Sequence, residues 1–340
     1  MSTVTPLPAT IEHWARVKPT EVAVIEGEHT MTWLEWNTRA NRLAAALSRR
    51  GVTAGDIVVV RCHNRVEWPV IGSALAKLGT RLLGMNFRLT PHEVRHVLND
   101  SRSVAVLCDD SDPTALLAAF EGRTLKAAVS LDVDAAGFER WDDLLAEDGE
   151  KTFFSAADPQ MVIYTSGTTG LPKGVTKERS NDTITLEYLG DVRDRRGAQQ
   201  HSVMMVTMPM HHGSGPAQVF AALRAGAKAV LIRRFDPITT LETIQRYRVT
   251  HWTGVPTMYK RLAALPAETF AKYDVSSIQA MSVGAAPVSD DLKAWIIKHL
   301  GDCLVEGYGS TETGMISSMP PELQLAKPGS SGRPFRHVKI

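Results

Sequence analysis

The chain has 340 residues, above the usual size of one simple domain, and 44% of them are hydrophobic, enough for a sizeable core. Lysine and arginine total 38 against 37 acidic residues, a formal net charge of +1, so no global field favours nucleic acid or an anionic membrane. Cys62, Cys108 and Cys303 stand far apart without a C-x-x-C spacing, which excludes a zinc-site pattern and a disulfide framework and fits a reducing compartment.

The first residues show no basic segment followed by an apolar one, so no signal peptide is expected. No apolar run approaches the ~20 residues that span a bilayer; the expectation is a soluble, cytoplasmic protein without stable membrane insertion. In chain order, Thr32 and Glu35 form a capping box that opens an amphipathic helix ending near Gly51. Residues 56–60 predict a buried strand. Thr90, Pro91 and Glu93 form a second capping box, with proline at the first helical position. Strands follow at 104–107 and 161–164, then at 203–207, 229–232 and 250–252. Helices are predicted near 217–223, at 237–247, and at 290–300 with Ser289 as its cap. The polar residues 183–200 carry no clear pattern. Alternation of strand and helix argues for α/β with mostly parallel sheet.

Two stretches carry chemistry. The first, Tyr164-Thr165-Ser166-Gly167-Thr168-Thr169-Gly170-Leu171-Pro172-Lys173-Gly174-Val175, follows the strand-like run 161–163. Glycines let backbone N–H groups approach an anion, hydroxyls donate to phosphate oxygens, and lysine adds a point charge. A strand emptying into such a loop reads as a phosphate cradle. It is not a P-loop, because Pro172 precedes Lys173 and Gly174 follows it, leaving no hydroxyl after the lysine. The bland reading, a polar turn, suits the Ser-Gly-Thr-Thr-Gly core alone but not all twelve residues. The second stretch, Glu306-Gly307-Tyr308-Gly309-Ser310-Thr311-Glu312-Thr313-Gly314, follows Leu304-Val305 and reads as another strand ending in a glycine-rich loop. It offers an aromatic face, a hydroxyl and a carboxylate, the parts that stack a base, bind a phosphate and carry a hydrated cation.

Together the two stretches resemble the signatures of the adenylate-forming superfamily of acyl-CoA synthetases, luciferases and peptide-synthetase adenylation domains. Further matches follow in family order. His212 in Met208-Pro209-Met210-His211-His212-Gly213 resembles the family's Pro-x-x-His segment, and Gly284-Ala285-Ala286-Pro287 resembles its Gly-Ala-x-Pro turn. Gly329 through Pro334 resembles the Gly-x-x-Gly-x-Pro run, and Asn86 through Leu89 an upstream segment. The likeness is strongest to an acyl-CoA synthetase and covers nearly the whole chain. Departures are Glu178-Arg179-Ser180 after the phosphate loop and Phe335-Arg336-His337 near the end.

The resemblance implies two interleaved lobes of mostly parallel sheet flanked by helices, in αβαβα layers. Lobe one spans about 52–200 and lobe two about 10–51 and 201–318. Residues 319–340 begin a small β-barrel subdomain. It also implies a truncated N-terminal AMP-binding domain, since the ribose aspartate, the hinge and the mobile C-terminal domain with its adenylation lysine would follow Ile340. On that reading the 340 residues bind ligands but turn over slowly.

The implied activity is ATP-dependent conversion of a carboxylic acid to its acyl-adenylate, then to a thioester with coenzyme A. ATP/AMP, Mg²⁺ and coenzyme A are the implied cofactors; no nucleic acid partner is expected, and a homodimer is compatible. By resemblance, Thr165, Ser166, Gly167, Thr168, Thr169, Gly170 and Lys173 hold the β- and γ-phosphates. Glu306, Gly307, Tyr308, Gly309 and Thr311 bind the nucleotide, with Tyr308 stacked on adenine opposite Gly284, Ala285 and Ala286. Glu312 ligates Mg²⁺. His212 sits near the reacting carboxylate; alone it would read as a satisfied core histidine. His211 reads as structural or lining, and since strand neighbours point to opposite faces the two histidines are not expected to share a metal.

The acid pocket is expected around His212, Gly213, Ser214, Gly215, Val283, Gly284, Gly309 and Gly314. With no lysine or arginine there, it suits a fatty, aromatic or polycyclic acid, unless the small residues only permit close backbone packing. Two other readings stand: an acyl-AMP ligase or adenylation domain loading a carrier protein, and a non-catalytic nucleotide or acyl-adenylate binding module.

Overall fold

A computed structural model describes residues 10–120, 122–147, 152–154, 160–165, 171–176, 197–336 and 338–339. The chain divides into two compact units, Met1–Arg179 with Pro209–Arg224, and Ser180–Met208 with Ala225–Ile340.

In the first unit, β1 (Val22–Glu26) and β2 (His29–Thr32) form an antiparallel hairpin. The main sheet comprises β3 (Ile57–Arg61), β4 (Arg81–Gly84), β5 (Ala105–Cys108), β6 (Ala127–Ser130), β7 (Glu139–Arg140), β8 (Gln160–Thr165) and β9 (Lys173–Thr176). Their order is β7-β6-β5-β3-β4-β8-β9, parallel throughout except for the antiparallel pair β8–β9. The central strands read as unbroken apolar runs because both their faces are covered: Val58, Val59, Leu82, Leu83, Val106 and Leu107 are fully buried.

Both predicted capping boxes are present. Thr32 and Glu35 open the helix Trp33–Arg49, and Thr90 and Glu93 open the helix Pro91–Ser101. The first of these helices buries Trp33 and Trp36, stacked at 5.5 Å, and Trp36 Nε1 donates to Pro69 O at 2.9 Å on the helix Glu67–Leu78. An indole buried with its N–H satisfied contributes its full apolar area without a polar penalty.

In the second unit, β10 (Val203–Val206), β11 (Lys228–Leu231), β12 (His251–Gly254), β13 (Ala280–Gly284), β14 (Leu304–Ser310), β15 (Gly314–Met319) and β16 (Arg333–Pro334) lie in the order β16-β15-β14-β13-β12-β10-β11. β11 through β14 run parallel, and β15 and β16 add antiparallel strands at one edge. Met205, Trp252, Tyr259, Met281, Ile296 and Leu304 fill its core. The helices Pro237–Tyr247 and Asp290–Leu300 have the predicted bounds, the second capped by Ser289. The helix expected near 217–223 is longer, Ser214–Ala225. Pro216 does not stop it, because in the first turn a proline lacks only an N–H that has no helical partner anyway. Among the described residues no helix is long and apolar enough to cross a membrane.

Candidate functional site

The first of the two sequence motifs forms a hairpin in the first unit. β8 ends at Thr165, β9 begins at Lys173, and those two residues are partners in the antiparallel register. The structure therefore brings Thr165 and Lys173 together at the mouth of the intervening loop. Ser166, Gly167, Thr168, Thr169 and Gly170 lie outside the described residues. Lys173 is exposed, so its ammonium is open to solvent.

His212 also belongs to the first unit, and here the strand reading is corrected. Residues 207–213 form turns, not strand, because His212 N donates to Pro209 O at 3.1 Å and Gly215 N to His212 O at 3.2 Å. The alternating-face argument for His211 and His212 therefore does not apply. The turn is held from two sides. Met210 N donates to the buried Asn64 Oδ1 at 3.1 Å. A Cβ on Gly84, at the end of β4, would lie 2.8 Å from His211 Cα, so only glycine lets that strand end come so close. Gly213 packs against Ile163 of β8, and Ser214 and Gly215 begin the following helix.

The two imidazoles differ in setting. His211 meets Phe87 edge-on at 5.4 Å, and Phe87 stacks on His63 at 4.3 Å. His63 Nδ1 lies 3.1 Å from Asp109 Oδ2. Burial, with smaller contributions from the charges of His212, Arg88 and His63, lowers the His211 pKa to about 4. The His212 ring is exposed, yet the protein atoms around it still shift its pKa downward through desolvation. Both rings are thus held toward the neutral form, which can donate a hydrogen bond without carrying charge. Asn64, Gly84 and the His63–Asp109 pair carry no motif, and sequence reasoning missed them.

The second motif lies in the second unit, and the expected loop is largely strand. β14 runs through Glu306, Gly307, Tyr308 and Gly309 to Ser310, and only Thr311-Glu312-Thr313 turns before β15 begins at Gly314. Two pairing neighbours stabilise a glycine-rich segment that has weak intrinsic strand preference. Val283 pairs with Glu306 and Gly284 with Gly307 across the parallel pair β13–β14. Gly309 pairs with Met315 and Ser310 with Gly314 across the hairpin, with a register shift after Tyr308. A Cβ on Gly309 would fall 2.1 Å from Gly314 O, so that position admits no side chain. Thr313 N donates to Ser310 Oγ at 3.2 Å, closing the turn.

This arrangement brings Val283, Gly284, Ala285 and Ala286 beside Glu306 through Gly309. Tyr308 is 55% exposed, unusual for so large a ring on a paired strand and suited to a stacking platform. Ala285 takes φ 66°, a left-handed conformation that costs a non-glycine residue roughly 1 kcal/mol or more and clusters at ligand sites. Glu306 turns its carboxylate to the buried Lys293, with Nζ 2.6 Å from Oε2. Thr311 is half-buried and Glu312 exposed.

Among the described residues no group of three or more His, Cys, Asp or Glu is placed to hold a metal. Any cation near Glu312 would therefore depend on one carboxylate, water and substrate phosphate oxygens. That oxygen-only donor set fits Mg²⁺ and would not retain a softer ion.

The family described as AMP-binding enzyme matches residues 11–340. The chain is 30% identical over 328 residues to 4-coumarate--CoA ligase 1 of Oryza sativa subsp. japonica, covering 91% of this chain and 58% of that protein. It is 31% identical over 330 residues to a feruloyl-CoA synthase of Amycolatopsis sp, covering 96% of this chain and 64% of that protein. The matches thus span under two thirds of each of these relatives. Among solved structures, o-succinylbenzoate CoA synthetase of Bacillus subtilis in complex with the acyl-adenylate intermediate OSB-AMP matches with a TM-score of 0.78 at 26% identity, over 98% of this chain and 65% of that one. With the family match at residues 11–340 taking in both the hairpin Thr165–Lys173 and the Tyr308 strand, the chain belongs to the AMP-binding, adenylate-forming enzyme family.

Proposed function

We propose that this chain carries the nucleotide- and acid-binding part of an acyl-CoA ligase acting on an aromatic carboxylic acid. The observation that carries the reading is the exposed Tyr308 beside the left-handed Ala285, with Thr311 and Glu312 at the adjoining turn. An aromatic face, a hydroxyl and a carboxylate in that order match adenine, α-phosphate and a hydrated cation. The relatives' names, 4-coumarate and feruloyl, support an aromatic acid.

A carboxylate is a poor electrophile, because its charge repels nucleophiles and its leaving group is bad. In the first step a carboxylate oxygen attacks the α-phosphorus of ATP; the bond to the bridging oxygen breaks and pyrophosphate leaves. Lys173, with Thr165, neutralises charge on the β- and γ-phosphates as it grows on the leaving group. Thr311 hydrogen-bonds the α-phosphate, Tyr308 stacks on adenine, and the neutral His212 orients the acid. Glu312 would hold Mg²⁺, which would supply charge neutralisation on the phosphate oxygens. In the second step a thiolate of coenzyme A attacks the acyl carbon and AMP departs with its electron pair.

Calorimetric titration with non-hydrolysable acyl-adenylate analogues tests the reading. A coumaroyl or benzoyl analogue is expected to bind about tenfold or more tighter than AMP, the gain from burying an aromatic ring. A malonyl analogue binding more tightly than either contradicts the substrate class.

A further inference from the structure

The helix Pro91–Ser101 touches the phosphate hairpin at both arms, through two residues outside every motif. His96 Nε2 lies 2.9 Å from Pro172 O. A proline carbonyl only accepts, so the imidazole donates. Pro172 O belongs to the peptide that carries the N–H of Lys173. One helical turn later, Asp100 Oδ2 accepts from Tyr164 Oη at 2.6 Å. Tyr164 is the residue before Thr165, and its ring lies over Gly174, the residue after Lys173. His96 and Asp100 stand four apart, so they share one helix face.

The geometry points to His96 and Asp100 as positioning residues that hold the two arms of the hairpin, and so fix where Lys173 meets the terminal phosphates of a nucleotide. The helix is rigid enough for the task. Thr90 and Glu93 cap its start, Val94, Val97 and Leu98 bury its opposite face, and Arg123 donates to Leu98 O at 2.9 Å near its end. The backbone pairs of β8 and β9 fix the register, and among the described residues β9 is the last strand of the sheet, so no further strand pairing limits its twist. The two side-chain bonds supply that limit. Burial and the Asp100 carboxylate raise the pKa of Tyr164, so its hydroxyl stays a donor throughout the working range.

This inference rests on the proposed role of Lys173 toward β- and γ-phosphates, and ATP and AMP separate it from a general effect on folding. AMP lacks those phosphates, so a hairpin displaced by loss of the clamp weakens ATP binding alone. Calorimetry on the whole chain is expected to show ATP affinity falling about threefold to tenfold in Tyr164→Phe and in His96→Ala, the worth of one hydrogen bond, with AMP affinity unchanged. His96→Gln, whose amide N–H can reach the same carbonyl, is expected to restore it. Equal losses for ATP and AMP, or unchanged ATP affinity in both variants, overturn the clamp. If His96→Ala does not fold, Tyr164→Phe decides alone, since it removes one oxygen. If the unsubstituted chain binds neither nucleotide, the proposed function fails first and the clamp with it.

Discussion

At the residue scale, the turn bearing His212 is defined by what surrounds it. Gly84→Ala would drive a methyl into the His211 backbone, 2.8 Å away. Backbone cannot swing aside as a side-chain end can, so a loss of roughly 1–3 kcal/mol is expected, read by urea unfolding. His211 makes a second prediction. Its folded pKa, about 4, is below the ordinary imidazole value of about 6.5. Between those values the unfolded chain binds more protons than the folded one, so stability present at pH 7 is lost as pH falls through this window, fully below about 4. His211→Gln removes that proton uptake. The stability of the natural chain relative to His211→Gln should fall steadily from pH 7 to pH 4; a constant difference contradicts the buried neutral ring. His212 could be singled out in the sequence because it sits in a recognisable segment. Asn64 was not, because nothing in the sequence links position 64 to an N–H at position 210; only the fold joins them.

At the element scale, the predictions held where local chemistry decides and slipped where pairing decides. The capping boxes at Thr32 and Thr90 and the cap at Ser289 were readable because each is complete within four residues. Residues 306–310 of β14 were read as a loop because Gly307 and Gly309 have low strand preference, and the pairing that makes them strand is with β13 and β15. Its anchors were equally hidden: Gln324 Nε2 donates to Leu304 O at 3.2 Å and to Met319 O at 2.8 Å, joining β14 to β15. Lys293, with a side chain 3% exposed, pairs with Glu306 from the helix behind the strand. Lys293→Met would leave that carboxylate without its cation and is expected to cost about 3 kcal/mol in chemical unfolding. Adding Glu306→Gln should recover much of the loss, because a neutral amide needs no counter-charge. A double variant no more stable than Lys293→Met would show that the pair does not act as one.

At the scale of the whole molecule, the mostly parallel α/β architecture was legible from the alternation of strand and helix, since each buried strand reads as an apolar run. The division into Met1–Arg179 with Pro209–Arg224 and Ser180–Met208 with Ala225–Ile340 turns on which segments pack together rather than on any composition break. It places Lys173 and His212 in one unit and Tyr308, Thr311 and Glu312 in the other. The proposed function gives a nucleotide-binding role to Lys173 and to Tyr308. Titration of ATP into the unsubstituted chain, Lys173→Ala and Tyr308→Ala tests this most directly. One ATP should bind per chain. Lys173→Ala should weaken ATP and spare AMP, while Tyr308→Ala should weaken both by about tenfold, the worth of a stacked base. ATP affinity unchanged by either substitution would contradict the account.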